Sequence, residues 1–290
     1  MSVLNMTSDG APNVLWAICK ALLEFGPMTR ERLLRLCAAN ERCAQSLVRW
    51  SQLGLIHKVD DQFCVSPDYA KKIKVGSGEV CPEFLRALRQ VVFLPQNSAR
   101  LWEAEGSQCA DLTRGLSWLL AQNIYSVDTS SAVVVQQLES VQVKDETKRI
   151  LQNDTRWNGL RTWAIFLGFG YSSEHTMPDP TLAVEAELSG LFVEHKVLSA
   201  SEFLEGLADR LPVLDNGAIR SQVESILDPS EWQQPPENYL STSLSRAIVR
   251  LASAGKIGLE NRSDSPSHLA LQGSGAQEWR RFTHVSFKEG

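Results

Sequence analysis

Apolar residues recur at helical spacing through most of this chain and alternate at strand spacing only in short runs. Pro12 stands at a first helical position ahead of Val14, Leu15, Ile18 and Leu22, and Gly26-Pro27 stops that pattern. Thr29 suits an N-cap for a second helix carrying Leu33, Leu34, Leu36 and Cys37. After Ala38-Ala39-Asn40, a third helix is predicted from 41 to 53, with Gly54 as its left-handed stop. The runs 55–59 and 62–65 are β-type and meet at Asp60-Asp61, which makes a hairpin. Three helices followed by a hairpin is the order of a winged helix.

The end of that pattern recurs 201 positions later. Ser46-Leu-Val-Arg-Trp-Ser-Gln-Leu-Gly-Leu-Ile56 and Ala247-Ile-Val-Arg-Leu-Ala-Ser-Ala-Gly-Lys-Ile257 share Val48/Val249, Arg49/Arg250, Gly54/Gly255 and Ile56/Ile257. Each reads as a helix that stops at glycine and enters a strand. The second copy would begin with a helix over 181–192, continue in a Ser199- or Ser201-capped helix over 202–210, and reach its third helix at 241–254. Its wing strands are predicted at 256–260 and 267–272, with a tip over 261–266 and Trp279-Arg-Arg-Phe282 as a basic, aromatic tail. An acidic stretch over 211–237, with Trp232 and Pro235-Pro236, separates its second and third helices and is longer than a bare winged helix needs.

Between the two copies the pattern is helical, with helices predicted over 82–94, 111–122, 131–143, 145–153 and 155–167, the last ended by Gly168-Phe-Gly170. The loop over 171–180 is the best boundary. The reading is therefore mainly α with small β wings, in three parts: an N-terminal winged helix (1–75), a helical middle region (76–176), and a C-terminal winged helix with an acidic insertion (177–290).

At 290 residues, with 43% hydrophobic and 22% charged residues, the composition is that of a folded protein of about two domains. No apolar run approaches the ~20 residues of a membrane span, and Met1 to Gly10 lacks a basic region before an apolar one, so the expected address is cytoplasmic, with no membrane partner. The six cysteines all fall by residue 109 without a Cys-x-x-Cys pair, which reads as reduced core thiols.

The net charge of −5 is unevenly spread. From 20 to 50 there are six cations and three acids, from 177 to 240 three cations and twelve acids, and from 241 to 290 seven cations and four acids. Both expected third helices are locally positive, and local sign governs a partner approaching within a Debye length of ~8 Å.

Chemistry is thinly signalled. The five histidines are scattered, and although Cys37, Cys43 and His57 converge in a winged helix, helix-face thiols are more often core, so no metal is assigned. Gly76-Ser-Gly78, Gly168-Phe-Gly170 and Gly273-Ser-Gly275 lack the Gly-Lys-Ser/Thr of a phosphate loop and read as turns. Nothing resembles a nucleophile elbow. No catalytic residue and no cofactor are assigned, and the chain is expected not to be an enzyme.

The positive signal is the pair of third helices. With Cys43, Leu47, Trp50 and Leu53 assigned to the core, Arg42, Gln45, Ser46, Arg49 and Gln52 face outward. Arginine suits guanine edges and phosphate, and glutamine pairs with adenine. The corresponding outer positions of the second copy are Ser243, Arg246, Ala247, Arg250 and Ser253, a lighter face suited to phosphate. Lys58, Lys256 and Arg262 lie on or near the wings. Winged helices also serve as protein-interaction modules, and an outer face with a few arginines can simply be solvated. Trp157 and Trp163, six residues apart, need not share a helix face, and at least one is expected in the core rather than on a base-stacking surface.

Ser8-Asp-Gly-Ala-Pro-Asn-Val-Leu15, Trp157-Asn-Gly-Leu-Arg-Thr-Trp-Ala-Ile-Phe-Leu-Gly168, Leu198-Ser-Ala-Ser-Glu-Phe-Leu204 and Leu240-Ser-Thr-Ser-Leu-Ser-Arg-Ala-Ile-Val-Arg-Leu251 together resemble the DpdG-type proteins, which accompany bacterial clusters that insert deazaguanine bases into DNA. The resemblance implies a companion of DNA-modification, restriction or phage-defence machinery, working beside helicase or nuclease subunits, and supplies no active-site residues. With the residue pattern it gives the expected function: a non-enzymatic adaptor that binds duplex DNA and protein subunits of the same system. A transcription regulator of its own cluster and a protein-only scaffold of a defence complex are the alternatives.

Overall fold

A computed structural model of the chain describes residues 3–4, 11–37, 41–76, 79–103, 108–263, 265 and 267–288. The turn expected at Ala38-Ala39-Asn40 lies outside the described residues. So do Ser77 and Gly78 of an expected turn, Asp264 and Pro266 of the expected wing tip, and Ser8-Asp9-Gly10 of the opening stretch. In chain order the elements are α1 (Pro12–Phe25), β1 (Met28–Thr29), α2 (Arg30–Leu36), α3 (Glu41–Gln52), β2 (Ile56–Val59), β3 (Gln62–Val65), α4 (Pro67–Ala70), α5 (Pro82–Val92), α6 (Pro95–Ser98), α7 (Ala110–Ala121), α8 (Ala132–Gln142), α9 (Asp154–Phe166), β4 (Gly170–Ser172), β5 (Thr176–Pro178), α10 (Thr181–Leu191), β6 (Val197–Ser199), α11 (Ala200–Arg210), α12 (Ala218–Glu224), α13 (Thr242–Ser253), β7 (Ile257–Glu260), β8 (Leu269–Gln272), β9 (Glu278–Phe282) and β10 (His284–Phe287). The protein is mainly α-helical with small antiparallel sheets. It forms two compact units: 1–113 with 154–167, and 114–153 with 168–290. The segment 76–176 thus supplies residues to both.

In the first unit, α1, α2 and α3 are followed by the β2–β3 hairpin, whose turn holds Asp60 and Asp61 at positive φ. Met28–Thr29 adds on the far side of β3, giving the order β1-β3-β2. Thr29 then caps α2, its hydroxyl accepting from the Arg32 amide. Leu15, Ile18, Leu47, Trp50 and Ile56 fill the core. Trp163 of α9 packs on Trp50 with ring centroids 5.5 Å apart, and Trp157 is buried as well, so both tryptophans of that helix are core.

The second unit repeats the order: α10, β6, α11, α13 and then a sheet β6-β10-β7. Ser199 caps α11, with Glu202 completing a capping box. The expected pairing of β7 with β8 does not form. β7 pairs with β10, in register Leu259↔Val285, while β8 pairs with β9, so Trp279-Arg-Arg-Phe282 is a strand and not a tail. The reason lies in competing partners. The Ser245 hydroxyl on α13 accepts from the Gln272 amide at 2.9 Å, and Asn238 and Leu240 bond the backbone of Ala270, which fixes β8 against the helix and leaves β7 free for β10.

A second difference is the helix expected over 145–153, which shrinks to one 3-10 turn, Glu146–Lys148. The buried carboxylate of Glu139 takes the amide protons of Ile150 and Leu151, at 2.7 Å each, and so removes them from any helical ladder. The stretch 171–180 is also more regular than a loop, because β4 and β5 pair as a hairpin. The acidic stretch contains α12, whose Arg220 is buried between Glu224 and Asp215.

Candidate nucleic-acid interface

The repeated skeleton is also a structural repeat. Buried Cys43, Ser46, Leu47 and Trp50 of α3 correspond, 201 positions on, to buried Leu244, Ala247, Ile248 and Leu251 of α13. Both helices end alike. The Leu55 amide bonds the Trp50 carbonyl and the Lys256 amide the Leu251 carbonyl, while Gly54 (φ 89°) and Gly255 (φ 71°) take the left-handed turn that a side chain would strain. Each chain then enters a strand one residue later.

The burial pattern corrects the expected outer face of α3. Ser46 is fully buried and Arg49 is only 4% exposed, whereas Val48 is 46% exposed. Position 46 lies four residues before Trp50 and on its face, so the stripe packed against α1 includes it, opposite to what the coincidence of Val48 with Val249 and of Arg49 with Arg250 suggests. Arg42, Val48 and Gln52 make the actual outer face, with Gln45 half-buried beside them and donating to Glu41 at 3.1 Å. Lys58 is on β2 as expected, exposed but engaged by Asp61 at 2.7 Å and lying 5.8 Å from the centre of the Phe63 ring. The Lys58 ammonium holds the Asp61 carboxyl below its usual range.

Residues not assigned from the sequence complete the surface. Arg30, Arg32 and Arg35 are exposed on α2, and no ion pair holds them or Arg42 among the described residues. Arg30 and Arg32 occupy the first turn, where the positive end of the helix dipole disfavours cations, and Arg32 repels Arg35 three residues on. Local helix energetics do not favour that placement. The sequence carries the signal as the excess of cations over 20–50.

The second copy is different chemically. Ser243 is buried and donates to the Leu120 carbonyl at 2.7 Å, so it is no contact residue. Ala247 is buried as well. Arg250 is exposed but ion-paired to Asp179, Lys256 to Glu185 at 3.1 Å, and Arg262 to Glu260 at 2.7 Å, the last pair holding the Glu260 carboxyl below its usual range. Arg246 is half-buried near Tyr125. Neutralised cations make a weaker phosphate surface than free ones.

Among the described residues no three His, Cys, Asp or Glu side chains are grouped to hold a metal, and all six cysteines are free. No helix there is long and apolar enough to cross a membrane. Comparison with curated proteins and with solved structures finds no match to either. A DpdG-like family model matches residues 1–265, and the chain belongs to the DpdG-like family.

Proposed function

We propose that the protein is a non-enzymatic, DNA-binding adaptor of a bacterial DNA-modification or phage-defence system. Family membership supports the setting. In this reading α1-β1-α2-α3-β2-β3 and its second copy are winged helices, since each pairs its first short strand with the last, outside the hairpin or its equivalent. The first copy touches duplex DNA, with α2 on the backbone and Arg42, Gln45, Val48 and Gln52 of α3 toward the groove. The second copy, with its cations already paired to acids, docks a protein subunit such as a helicase or nuclease.

The observation that carries the DNA contact is the set of four exposed, unpaired arginines, Arg30, Arg32, Arg35 and Arg42. Four phosphate contacts give a salt slope of about −3.6, or roughly 150-fold weaker binding between 50 and 200 mM salt. A gel shift of the full chain on duplex at those two concentrations tests this. Reversal of all four to glutamate should abolish both the affinity and the slope, and Arg250→Glu should leave them within about twofold. A folded four-arginine variant that binds duplex like the parent overturns the proposal.

A further inference from the structure

The second unit contains an aromatic corner for which the duplex reading has no use. Tyr125 and Trp279 meet with ring centroids 6.0 Å apart and planes at 80°, and remain 37% and 42% exposed. Tryptophans 16, 50, 118, 157, 163 and 232 are all buried. The chain therefore has room for indoles in its cores, yet holds this one at the surface.

The local backbone is built around that indole. In the β8–β9 ladder Leu271 faces Arg280 and Gln272 faces Glu278, so Trp279 is the extra residue of a bulge, which turns its side chain out of the strand's alternation. Beneath it is Gly273, where a Cβ would come within 2.0 Å of the indole Nε1. The Gly273 amide closes the hairpin onto the Gln277 carbonyl at 2.7 Å. Bulge and glycine together seat the ring against the backbone. A planar group lying flat on either ring meets the edge of the other.

Cations flank the two rings. Arg246 approaches Tyr125, and among the described residues no carboxylate pairs with it. Burial pushes the Tyr125 hydroxyl up and the guanidinium opposes that. Arg280 and Arg281 are exposed on β9, and the nearby acid, Glu278, is engaged by Arg281 at 2.8 Å and Tyr239 at 2.6 Å. A cleft of about 920 Å³ opens near the corner; its wall includes Asn123, two residues before Tyr125, Gln272, which faces Glu278 across the ladder, the acids Glu224 and Glu231, and Gln122 and Gln142, whose amides bond each other.

We propose that the Tyr125–Trp279 corner is a stacking site for an unpaired base of single-stranded nucleic acid, with Arg246 taking a neighbouring phosphate. Every base offers a π-face, but only once it has left the duplex stack, so a corner that needs a free face selects single strands. Cations supply the backbone attraction. Arg246, with no carboxylate paired to it among the described residues, and the exposed Arg280 favour this occupant over an apolar protein segment. The site lies within the second unit and does not depend on the arginines of α2 and α3.

Fluorescence anisotropy of a labelled 15-nucleotide oligothymidylate, titrated with the full chain, tests the proposal. Trp279→Ala should weaken binding about 5- to 150-fold, the range measured for losing one base–aromatic stack, and Trp279→Phe should retain most of the affinity. Arg246→Gln should lower the salt slope by about 0.7. Gly273→Ala, which displaces the indole, and Tyr125→Ala give independent readings of the same site if Trp279→Ala folds poorly. The protein with all four first-unit arginines reversed should keep the Trp279 effect, and Trp279→Ala should keep duplex binding, which separates the two readings. A folded Trp279→Ala protein that binds the oligonucleotide like the parent overturns the proposal. So does a parent that does not bind it, or a variant that loses a co-purifying subunit while its oligonucleotide affinity is unchanged.

Discussion

Removing the Glu139 side chain should unfasten the segment that follows α8. Glu139 is 1% exposed, and its two carboxylate oxygens accept from the amides of Ile150 and Leu151 at 2.7 Å each. A buried donor left without an acceptor costs about 1–3 kcal/mol, so Glu139→Ala, which orphans both amides, should cost roughly 2–6 kcal/mol. Glu139→Gln keeps one acceptor and turns an NH2 toward the other amide, so it should cost about half as much. Native-state hydrogen exchange reads the loss locally: protection at Ile150 and Leu151 should fall tenfold for each 1.4 kcal/mol, while the amides of α3 stay protected. Burial pushes the Glu139 carboxyl up, against its two amide bonds and the charges of Arg114 and Arg149. The folded state therefore holds this proton more tightly than the unfolded chain. That contribution is complete below the ordinary glutamate pKa of about 4.3 and is lost as pH rises through the elevated value, so the advantage over Glu139→Gln should be larger in acid than at neutrality. If both variants lose less than about 0.5 kcal/mol, or if exchange at the two amides is unchanged, the fastening described here is wrong.

Asp215 accepts from the Ser241 amide at 2.6 Å and its hydroxyl at 2.7 Å, and lies 3.9 Å from the buried Arg220 guanidinium, so it anchors the residue that caps α13. Asp215→Ala should cost roughly 2–4 kcal/mol in a urea titration, and the double change with Arg220→Met should cost less than the two singles together; simple additivity would refute the network. Burial raises the thiols of Cys19 and Cys109 far above the usual range; Cys37, Cys64 and Cys81 are only half-buried, although burial raises Cys37 and Cys81 as well. A thiol reagent with peptide mapping should label those three in the native protein and Cys19 and Cys109 only after unfolding, and native labelling of Cys109 would contradict its placement.

Local signals read correctly where one residue decides one event. Gly54 and Gly255 end their helices, Asp60-Asp61 turns the hairpin, and Ser199 caps α11 because its oxygen is placed to accept the Glu202 amide. Failures came where a distant group competes. Nothing near 145–153 announces that Glu139 will claim two of its amides, and nothing near 269–272 announces that Asn238 and Ser245 will hold that strand. The site was half legible for a related reason. Arg42 follows from helical periodicity, but Arg49 differs from it by seven residues, nearly two turns, and its burial depends on the neighbours that α3 packs against.

The two units exchange chain: the first owns 154–167 and the second owns 114–153. No single break in the polypeptide separates them, since a cut anywhere between 114 and 167 leaves at least one unit missing a piece of its core, Trp163 on one side or Trp118 on the other. A recombination breakpoint in this stretch therefore delivers at most one complete unit and leaves the other broken. The arginine-bearing face of α2 and α3 and the acid-rich stretch both stay in intact units only when they are inherited together.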